Sequence, residues 1–463
     1  MLVRMIDYAP ATAAAPLPAN VILRAGFLGC AHLGYRMSGM MRTHPSGLNI
    51  REVDGYVTHE LVYDEILSSG ASFISNGGDL FHVHHPSMRA VNEAKRVDSK
   101  RVAAGVPEID NGGNHDNGAS STVSAIASVH QPELGRYSVF PDPGRPAEEL
   151  VGPHPGYYEV HQPIPDIPLY LHVVSHNGLD PKLADRGIDI NPQPIKDAVN
   201  ILVSHGIFSA DGRLFGADDR HGAERVIPEE WATRGWDQSI LSDFHTPGPI
   251  PGFGPADGRE RGQVWMTGSL IGRGFSDELC SRGWLMVDLT RDGRVTVTPR
   301  YVWKRPQVDF DTIDARGKTV EEINGIVRTR LAADSWWDEE SAALTGDGGY
   351  LLRQKIANAT PAQRHGIRAL AGEWMEAAGR AAYWAYSWEN ALSGAELRRS
   401  TDLSGGAAIP GKPRTINWAQ ELANRTTEGR VGATLAGLPE DLRTAVIRTT
   451  DSMLASLVPA DEK

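Results

Sequence analysis

Five short clusters of Cys, His, Asp and Asn residues each follow or end an apolar run in the first half of the sequence. They are Cys30-Ala31-His32, Gly78-Asp79-Leu80-Phe81-His82, Asn114-His115-Asp116, Ser204-His205-Gly206 and Asp243-Phe244-His245. In open α/β sheets, ligands bind at the carboxyl ends of strands. We therefore expect these clusters to converge around Asp79, which ends the second apolar run.

The residue types in these clusters are typical of a site for two metal ions. Two divalent ions about 3.5–4 Å apart that share one carboxylate can clamp a phosphodiester and turn a water into hydroxide at neutral pH. Asp79 can be the bridging carboxylate, with His32 and His245 completing one ion and Asn114 and His205 the other. The neutral oxygen of Asn suits a hard cation such as Mn²⁺.

His115 is the candidate catalytic imidazole. It would protonate the leaving oxygen or hold the scissile phosphate, and we expect Asp116 to orient it through its other ring nitrogen. Each of these residues alone has an ordinary explanation, such as a turn or a core histidine. Five clusters in this order favour a site. The clusters do not favour a place in the site for His82, His84 and His85. We expect those three to be loop residues near the cleft.

The segments that carry the clusters alternate between strand and helix patterns, which is typical of a layered α/β domain. Strands are predicted at 21–29, 71–75, 106–109, 201–205 and 236–244, and helices at 51–69 and 86–102. A hairpin is predicted at 283–297, with Asp292-Gly293 as its turn. Farther on, we expect a helix at 319–331, a strand at 350–356, one or two helices at 360–392 and a helical segment after Arg414.

Composition narrows the class of protein. The chain has 463 residues, 41% hydrophobic and 22% charged, with a formal net charge of −12. This excludes a generally basic nucleic-acid coat, although metal ions can hold phosphate in an acidic cleft. No apolar run is long enough to span a bilayer, and two cysteines, Cys30 and Cys280, make no disulfide framework. A reduced intracellular, cytoplasmic setting without membrane contact fits best.

The motifs resemble a known family. Gly78-Asp79-Leu80-Phe81-His82, Gly113-Asn114-His115-Asp116 and Ser204-His205-Gly206 are similar to those of the calcineurin-like metallophosphoesterases. Within that superfamily they are most similar to the DNA double-strand-break repair nucleases of the SbcD and meiotic-recombination-eleven type. The resemblance extends over 21–309 and weakly to 392.

This resemblance implies a fold, an activity and partners. The fold would be α/β, a two-sheet β-sandwich flanked by helices in four α/β/β/α layers. The implied domains are a nuclease domain (21–300) and a smaller α/β DNA-capping domain (301–395). From the residues alone we expect a flexible leader at 1–20, and at 396–463, which the resemblance does not cover, a linker with a helical C-terminal segment. The implied activity is Mn²⁺-dependent exonuclease, and possible endonuclease, cleavage at DNA ends. The implied partners are DNA, a second copy of the chain and an SMC-like, SbcC-type ATPase.

Two ligands depart from the family pattern. Cys30 stands where the family has Asp, and Asp243 stands where it has His. The resemblance therefore implies Cys30, His32 and His245 at one ion and Asn114, His205 and Asp243 at the other, bridged by Asp79. A thiol ligand favours Zn²⁺ or Fe²⁺ over Mn²⁺. Cys30 can equally be a small buried thiol that does not bind metal.

Three functions therefore remain open. The sequence favours a nuclease that processes DNA ends in repair or recombination. The enzymatic alternative is a phosphodiesterase or phosphatase acting on small molecules. The alternative without catalysis is a DNA-binding scaffold subunit of an SMC-like complex whose metal site has degenerated.

Overall fold

Two six-stranded sheets form the framework of the chain. The computed structural model describes residues 16–117, 124–142, 152–210, 213–215, 225–259, 261–275 and 281–389. Most of the predicted leader and the whole predicted C-terminal segment, 396–463, lie outside these ranges. The described strands are Val21–Leu28 (β1), Phe73–Asn76 (β2), Glu108–Asn111 (β3), Arg136–Val139 (β4), Tyr158–His161 (β5), Leu169–Val174 (β6), Val199–His205 (β7), Ile207–Ala210 (β8), Arg213–Phe215 (β9), Val226–Pro228 (β10), Gln238–Ser242 (β11), Gly248–Pro249 (β12), Gln263–Met266 (β13), Gly283–Thr290 (β14), Val295–Tyr301 (β15), Gln307–Asp314 (β16), Leu351–Ala357 (β17) and Tyr383–Glu389 (β18).

The helices begin and end at recognisable caps. The described α-helices are Ile50–Ser68 (α1), Met88–Ala104 (α2), Glu229–Ala232 (α3), Val320–Leu331 (α4), Glu339–Thr345 (α5), Pro361–Ala369 (α6) and Ala371–Ala377 (α7). The side chains of Asn49 and Ser87 accept hydrogen bonds from the first turns of α1 and α2, and Gly105, with φ 67°, ends α2. The predicted helices at 51–69, 86–102 and 319–331 are confirmed. None of the described helices is long and apolar enough to cross a membrane.

Each large sheet has parallel strands at its centre. The first has the order β15-β14-β1-β2-β3-β4, in which β1 to β4 are parallel and β14 and β15 antiparallel. The second has the order β12-β13-β11-β7-β6-β5, in which β13, β11, β7 and β6 are parallel. Parallel strands are usually buried on both faces, and β2, β3 and β11 are buried throughout.

The two sheets pack face to face around a shared core. Phe27, Phe73 and Ile109 of the first sheet meet Val203 and Ile240 of the second. Helices α1 and α2 cover the outer face of the first sheet. The outer face of the second sheet packs against α3, short 3₁₀ turns and a small sheet of β10, β8 and β9. The predicted α/β class is confirmed, but in the described residues the fourth layer contains only short helical elements.

A third sheet, with the order β16-β17-β18, occupies residues 307–389. Its strands are parallel, and α4, α6 and α7 pack on it. The predicted helical stretch at 360–392 is therefore correct only in its first part. The chain turns at Gly379, with φ 57°, and its aromatic residues form β18 beside β17. Aromatic side chains favour strands. Pairing with β17, which precedes this segment by about 30 residues, makes 383–389 a strand instead of a helix.

Candidate metal centre

The carboxyl ends of six parallel strands meet at one edge of the two large sheets. Strands β1, β2 and β3 lead into the loops that carry the first three clusters, and β7, β11 and β13 approach from the facing sheet. His205 links the two sheets, because its Nδ1 lies 3.0 Å from the carbonyl oxygen of Gly77. The predicted convergence of the clusters on one edge is what the topology produces.

The loops after β1 and β2 run side by side. The amides of Cys30, His32 and Leu33 donate hydrogen bonds to the carbonyls of Gly78, Asp79 and Leu80, at 2.8, 2.9 and 2.8 Å. This pairing continues the parallel ladder of the strands into the loops. The positions of the first and second ligand clusters are therefore fixed relative to each other by backbone hydrogen bonds.

Asp79 lies between the histidines of the two halves. One carboxylate oxygen, Oδ2, is 3.4 Å from His205 Nε2 and 3.9 Å from His32 Nε2, and Oδ1 accepts a hydrogen bond from the His115 amide at 2.8 Å. Burial opposes ionisation of this carboxyl group, but His205, His115 and His32 hold its pKa well below the ordinary value. An ionised carboxylate in this position can bridge two cations.

One half of the centre consists of Cys30, His32 and His245. Their ligand atoms all lie within 4.8 Å of one another, and all three residues are buried. Among the described residues, neither ring nitrogen of His32 has a hydrogen-bond partner. Leaving a buried polar atom without a partner costs about 1–3 kcal/mol. A metal ion would satisfy one of these nitrogens, so the donor set fits a cation.

Burial keeps Cys30 and His32 uncharged in the absence of metal. It raises the pKa of the Cys30 thiol well above the ordinary value, together with the nearby charges of Asp79 and Asp243. Burial and the positive charge of Arg273 hold the pKa of His32 well below the ordinary value. A neutral imidazole is the form that binds metal, whereas the thiol must lose its proton on binding.

The other half contains Asn114, His205 and Asp243, together with Asp79. His205 Nε2 lies 3.0 Å from the side-chain oxygen of Asn114 and 3.9 Å from Asp243 Oδ1. Ligand atoms about 2.1 Å from one ion stand about 3–3.4 Å apart, which is close to the Asp79 and Asn114 distances. Burial disfavours charge on His205, but Asp79 raises its pKa to about 9.

Two glycines allow this close approach of the loops. A Cβ atom on Gly77 would stand 1.9 Å from Ser242 Oγ of the facing sheet. A Cβ atom on Gly113 would stand 2.1 Å from Asp79 Oδ1. Both separations are shorter than any real carbon contact, so glycine is required at the two positions where the sheets and the Asp79 carboxylate meet.

His115 lies beside the cluster, but Asp116 does not orient it. The Nδ1 atom of His115 is 2.6 Å from the carbonyl oxygen of His82 and its Nε2 is 2.7 Å from Arg273. Asp116 instead accepts hydrogen bonds from the backbone amides of Asp79, Phe81 and Gly113 at 2.8, 3.0 and 3.1 Å. The predicted contact between Asp116 and His115 is wrong, because the turn at 113–117 directs the carboxylate towards the backbone of the Asp79 loop.

The three histidines that follow Asp79 differ in position. The His82 ring stacks on His115 with centroids 5.1 Å apart and meets His32 edge-on at 5.6 Å. The sequence predicted a loop residue near the cleft with at most a supporting role behind the ligands, and the structure places the His82 ring against His115 and His32. His84 and His85 are exposed and contact each other, as expected for loop residues.

Arg273 is a residue that sequence reasoning missed. Its guanidinium group reaches His115 Nε2, and its backbone carbonyl accepts a hydrogen bond from the Tyr35 hydroxyl at 2.8 Å. The residue lies in the segment after β13, downstream of Gly268-Ser269. The only available signal was a cation shortly after the last parallel strand of the second sheet.

Comparisons with known proteins give little beyond this geometry. No protein-family model and no curated protein sequence matches the chain. Among solved structures it is similar to a dimetal phosphatase from Danio rerio, with 10% identity and a TM-score of 0.34, covering 61% of this chain and 97% of that one. It is also similar to the protein TT1561 of Thermus thermophilus, with 11% identity and a TM-score of 0.31, covering 60% and 98%. These scores are too low to assign ligands, so the assignment depends on the residues themselves.

Proposed function

We propose that this chain is a metal-dependent phosphoesterase that hydrolyses phosphodiester bonds in DNA. The observation that carries the proposal is the position of the Asp79 carboxylate, 3.9 Å from His32 Nε2 and 3.4 Å from His205 Nε2. Around it stand a thiol, further imidazoles, an amide oxygen and a second carboxylate, all on strand-end loops. Apart from the thiol, which stands where the family has a carboxylate, these donors are of the kind that can hold the two ions of a phosphoesterase.

Each residue then has a defined role. Cys30, His32 and His245 would hold one ion, Asn114, His205 and Asp243 the other, and Asp79 both. The family resemblance implies Mn²⁺, with Zn²⁺ or Fe²⁺ as alternatives. The ions would supply Lewis acidity and a nucleophilic water at neutral pH. The residues themselves fix the ligand loops, through the backbone bonds between the Cys30 and Asp79 segments.

His115 and Arg273 are the groups that would meet the reacting phosphate. The His82 carbonyl fixes the His115 ring through Nδ1, which leaves Nε2 on the side facing Arg273. In the structure His115 Nε2 accepts a hydrogen bond from the Arg273 guanidinium. With substrate bound, the guanidinium would turn to a non-bridging phosphate oxygen, and the freed Nε2 would take a proton from solvent and give it to the leaving oxygen. Arginine suits this task because its planar fork matches the geometry of phosphate.

DNA as the substrate is supported by the sequence resemblance and by the third sheet. The loop that follows His32 is tied to that sheet: Met40 pairs with Tyr383, and Arg42 binds Asp347 at 2.8 Å. In this proposal the third sheet, joined to the loop that follows His32, would extend the surface available to a long substrate such as DNA. A second copy of the chain and an SMC-like ATPase belong to the same proposal, and gel filtration with and without DNA tests the homodimer.

The deciding experiment is a cleavage assay on the purified protein. Linear duplex DNA, single-stranded DNA and a chromogenic phosphomonoester and phosphodiester are each incubated with Mn²⁺, Zn²⁺ or Mg²⁺. We expect metal-dependent release of nucleotides from DNA. His115→Ala should reduce it by about 10²-fold or more, whereas His84→Ala, a change of an exposed histidine in the neighbouring loop, should not.

Other outcomes point elsewhere. Turnover of the small substrates without cleavage of DNA would support the small-molecule alternative. Metal binding without hydrolysis of any substrate would overturn the proposed activity and leave a DNA-binding scaffold. Cleavage that persists in His115→Ala would indicate a contaminating nuclease.

A further inference from the structure

We propose that the two halves of the centre select different metals, so that the loaded protein holds one Zn²⁺-like ion and one Mn²⁺-like ion. Cys30, His32 and His245 would bind the softer ion. Asp79, Asn114, His205 and Asp243 would bind the harder one. The inference rests on the proposed function for its two-ion centre, but it concerns metal choice and not the reaction.

The softer half has one sulfur and two imidazole donors. Cys30 is fully buried, and its amide donates a hydrogen bond to the Gly78 carbonyl at 2.8 Å. The Cys30 carbonyl is also held, since the Ser269 hydroxyl donates to it at 2.9 Å. These contacts fix the thiol at the strand end instead of leaving it to fill space in the core.

The histidines of this half are arranged for the same ion. The rings of His32 and His245 meet at an angle of 74° with centroids 5.4 Å apart. His32 is completely buried, and its ring nitrogens have no hydrogen-bond partner among the described residues. A buried thiol next to an imidazole that lacks partners is a second, independent sign of a cation at this position.

The harder half is built mainly from oxygen. Asp79 and Asn114 place oxygens 3.4 and 3.0 Å from His205 Nε2, and the Asp243 carboxylate lies 3.9 Å from the same atom. Three of its four side chains therefore offer oxygen donors, one of them an uncharged amide, whereas the softer half has only the shared Asp79 carboxylate. Oxygen donors suit Mn²⁺ and Mg²⁺, whereas thiolate with imidazole suits Zn²⁺ and Fe²⁺.

The sulfur also lies within 4.8 Å of ligand atoms of Asp79 and His205. This follows from the position of Asp79 between the halves. Position alone therefore places the sulfur within reach of either ion. The two ring nitrogens of His32, which lack a hydrogen-bond partner among the described residues, assign it to the softer half. The asymmetry between the halves therefore depends on Cys30.

Cobalt provides a direct spectroscopic test. Metal-stripped protein titrated with one equivalent of Co²⁺ should show a thiolate-to-cobalt charge-transfer band in the near ultraviolet, and Zn²⁺ should abolish it. The band should be absent in Cys30→Ser and Cys30→Asp, and it should persist in His205→Ala, which removes a ligand of the other half. Cys30→Ser should lower Zn²⁺ affinity by about 100-fold or more.

Metal analysis gives the second readout. After dialysis against a large excess of Mn²⁺ with Zn²⁺ limited to one equivalent, wild-type protein should retain one equivalent of each metal, and Cys30→Asp should retain more Mn²⁺ and less Zn²⁺. A missing charge-transfer band, or two equivalents of one metal in the wild type, would overturn the inference. Since neither measurement depends on DNA cleavage, an inactive protein with the band refutes only the proposed activity, and an active protein without it refutes only the metal choice.

Discussion

Four ligand residues hold their backbones in a conformation that L-amino acids avoid. The φ angles are 50° at Cys30, 47° at His32, 58° at Asp79 and 110° at Asp243. Among the described residues only three other non-glycine residues have positive φ. Such conformations cost about 1–3 kcal/mol each and collect at functional sites. These four conformations therefore lower the stability of the fold, and they direct the candidate ligand side chains towards the centre.

The strain at Asp243 can be measured. Replacing Asp243 with Gly should remove the strain, because glycine adopts this φ freely. Without metal, the free energy of unfolding of Asp243→Gly should therefore be about 1 kcal/mol higher than that of Asp243→Asn. Both variants lose the carboxylate, which makes the comparison a matched one. Chemical unfolding with metal removed measures the difference, and equal stability of the two variants would show that the φ angle carries no strain. Metal affinity should fall in both.

Arg273 provides a test of the phosphate contact. Arg273→Ala should lower kcat/KM on DNA by about 10²-fold, as expected for the loss of one charged donor to the reacting group. Arg273→Lys should fall between the wild type and Arg273→Ala because it keeps the charge but loses the fork. Steady-state kinetics with inorganic phosphate as inhibitor separate binding from chemistry.

The control for Arg273 lies at the opposite end of the first sheet. Arg291 is exposed in the turn after β14, near the start of β1. Arg291→Ala should leave both kinetic constants and phosphate inhibition unchanged. If Arg273→Ala behaves in the same way, the guanidinium does not contact the substrate.

At the level of elements, α1 and α2 are joined by salt bridges between charged side chains on their facing sides. Glu60 of α1 binds Arg96 of α2 at 2.7 Å and Lys100 at 2.7 Å. Burial opposes ionisation of Glu60, but hydrogen bonds from the two cations lower its pKa to about 2. The two helices that cover the first sheet are therefore held together by a partly buried ion cluster.

This cluster gives a prediction about pH. Because the pKa of Glu60 is lowered on folding from 4.5 to about 2, its contribution is complete above pH about 4.5 and is lost as the pH falls towards 2. Glu60→Gln should reduce the free energy of unfolding by about 1 kcal/mol at pH 7 and by much less near pH 2. Urea unfolding across this range measures the difference.

Glu93→Gln is the matched control for that prediction. Glu93 also binds Arg96, at 2.8 Å, but its side chain is more exposed, at 27% against 11% for Glu60. Its replacement should cost less at every pH. A Glu60→Gln effect that stays constant from pH 7 to pH 2 would contradict the assigned cause.

At the scale of the whole molecule, a buried arginine joins the third sheet to the first. Arg305 binds Asp54 of α1 at 2.7 Å and donates to the carbonyls of Asp347 and Gly349, both at 2.8 Å. The Arg305 side chain is completely buried. This desolvated cation therefore helps to hold the part of the chain at 307–389 beside α1, together with the apolar contacts of Ile50 with Leu351 and Ala382.

Removal of that cation should be costly. Arg305→Met leaves buried carboxylates short of a partner and should reduce the free energy of unfolding by about 3 kcal/mol. Arg300→Met removes an exposed cation that binds Glu65 at 2.6 Å and should cost less than about 1 kcal/mol. Chemical unfolding gives the free energies, and hydrogen exchange should be faster across 307–389 in Arg305→Met alone. Equal effects of the two variants would contradict the role of burial.

The sequence was informative where one local rule decided the structure. The helix patterns at 51–69 and 86–102 predicted α1 and α2, and polar residues after apolar runs mark the strand ends that converge on Asp79. The sequence was wrong or uninformative where contacts with residues distant in sequence decided the structure. The strand at 383–389 depends on pairing with β17, and Arg273 reaches His115 across 158 positions. No local pattern carries such information.

The arrangement of the centre has a mechanical consequence. The loops of the first sheet supply Cys30, His32, Asp79 and Asn114, and those of the second supply His205, Asp243 and His245. In the proposed assignment each ion takes ligands from both sheets. The bound ions would therefore resist sliding of one sheet relative to the other. A slip of one sheet by a single residue would empty both positions together. Loading and sheet alignment would then be gained or lost as one event.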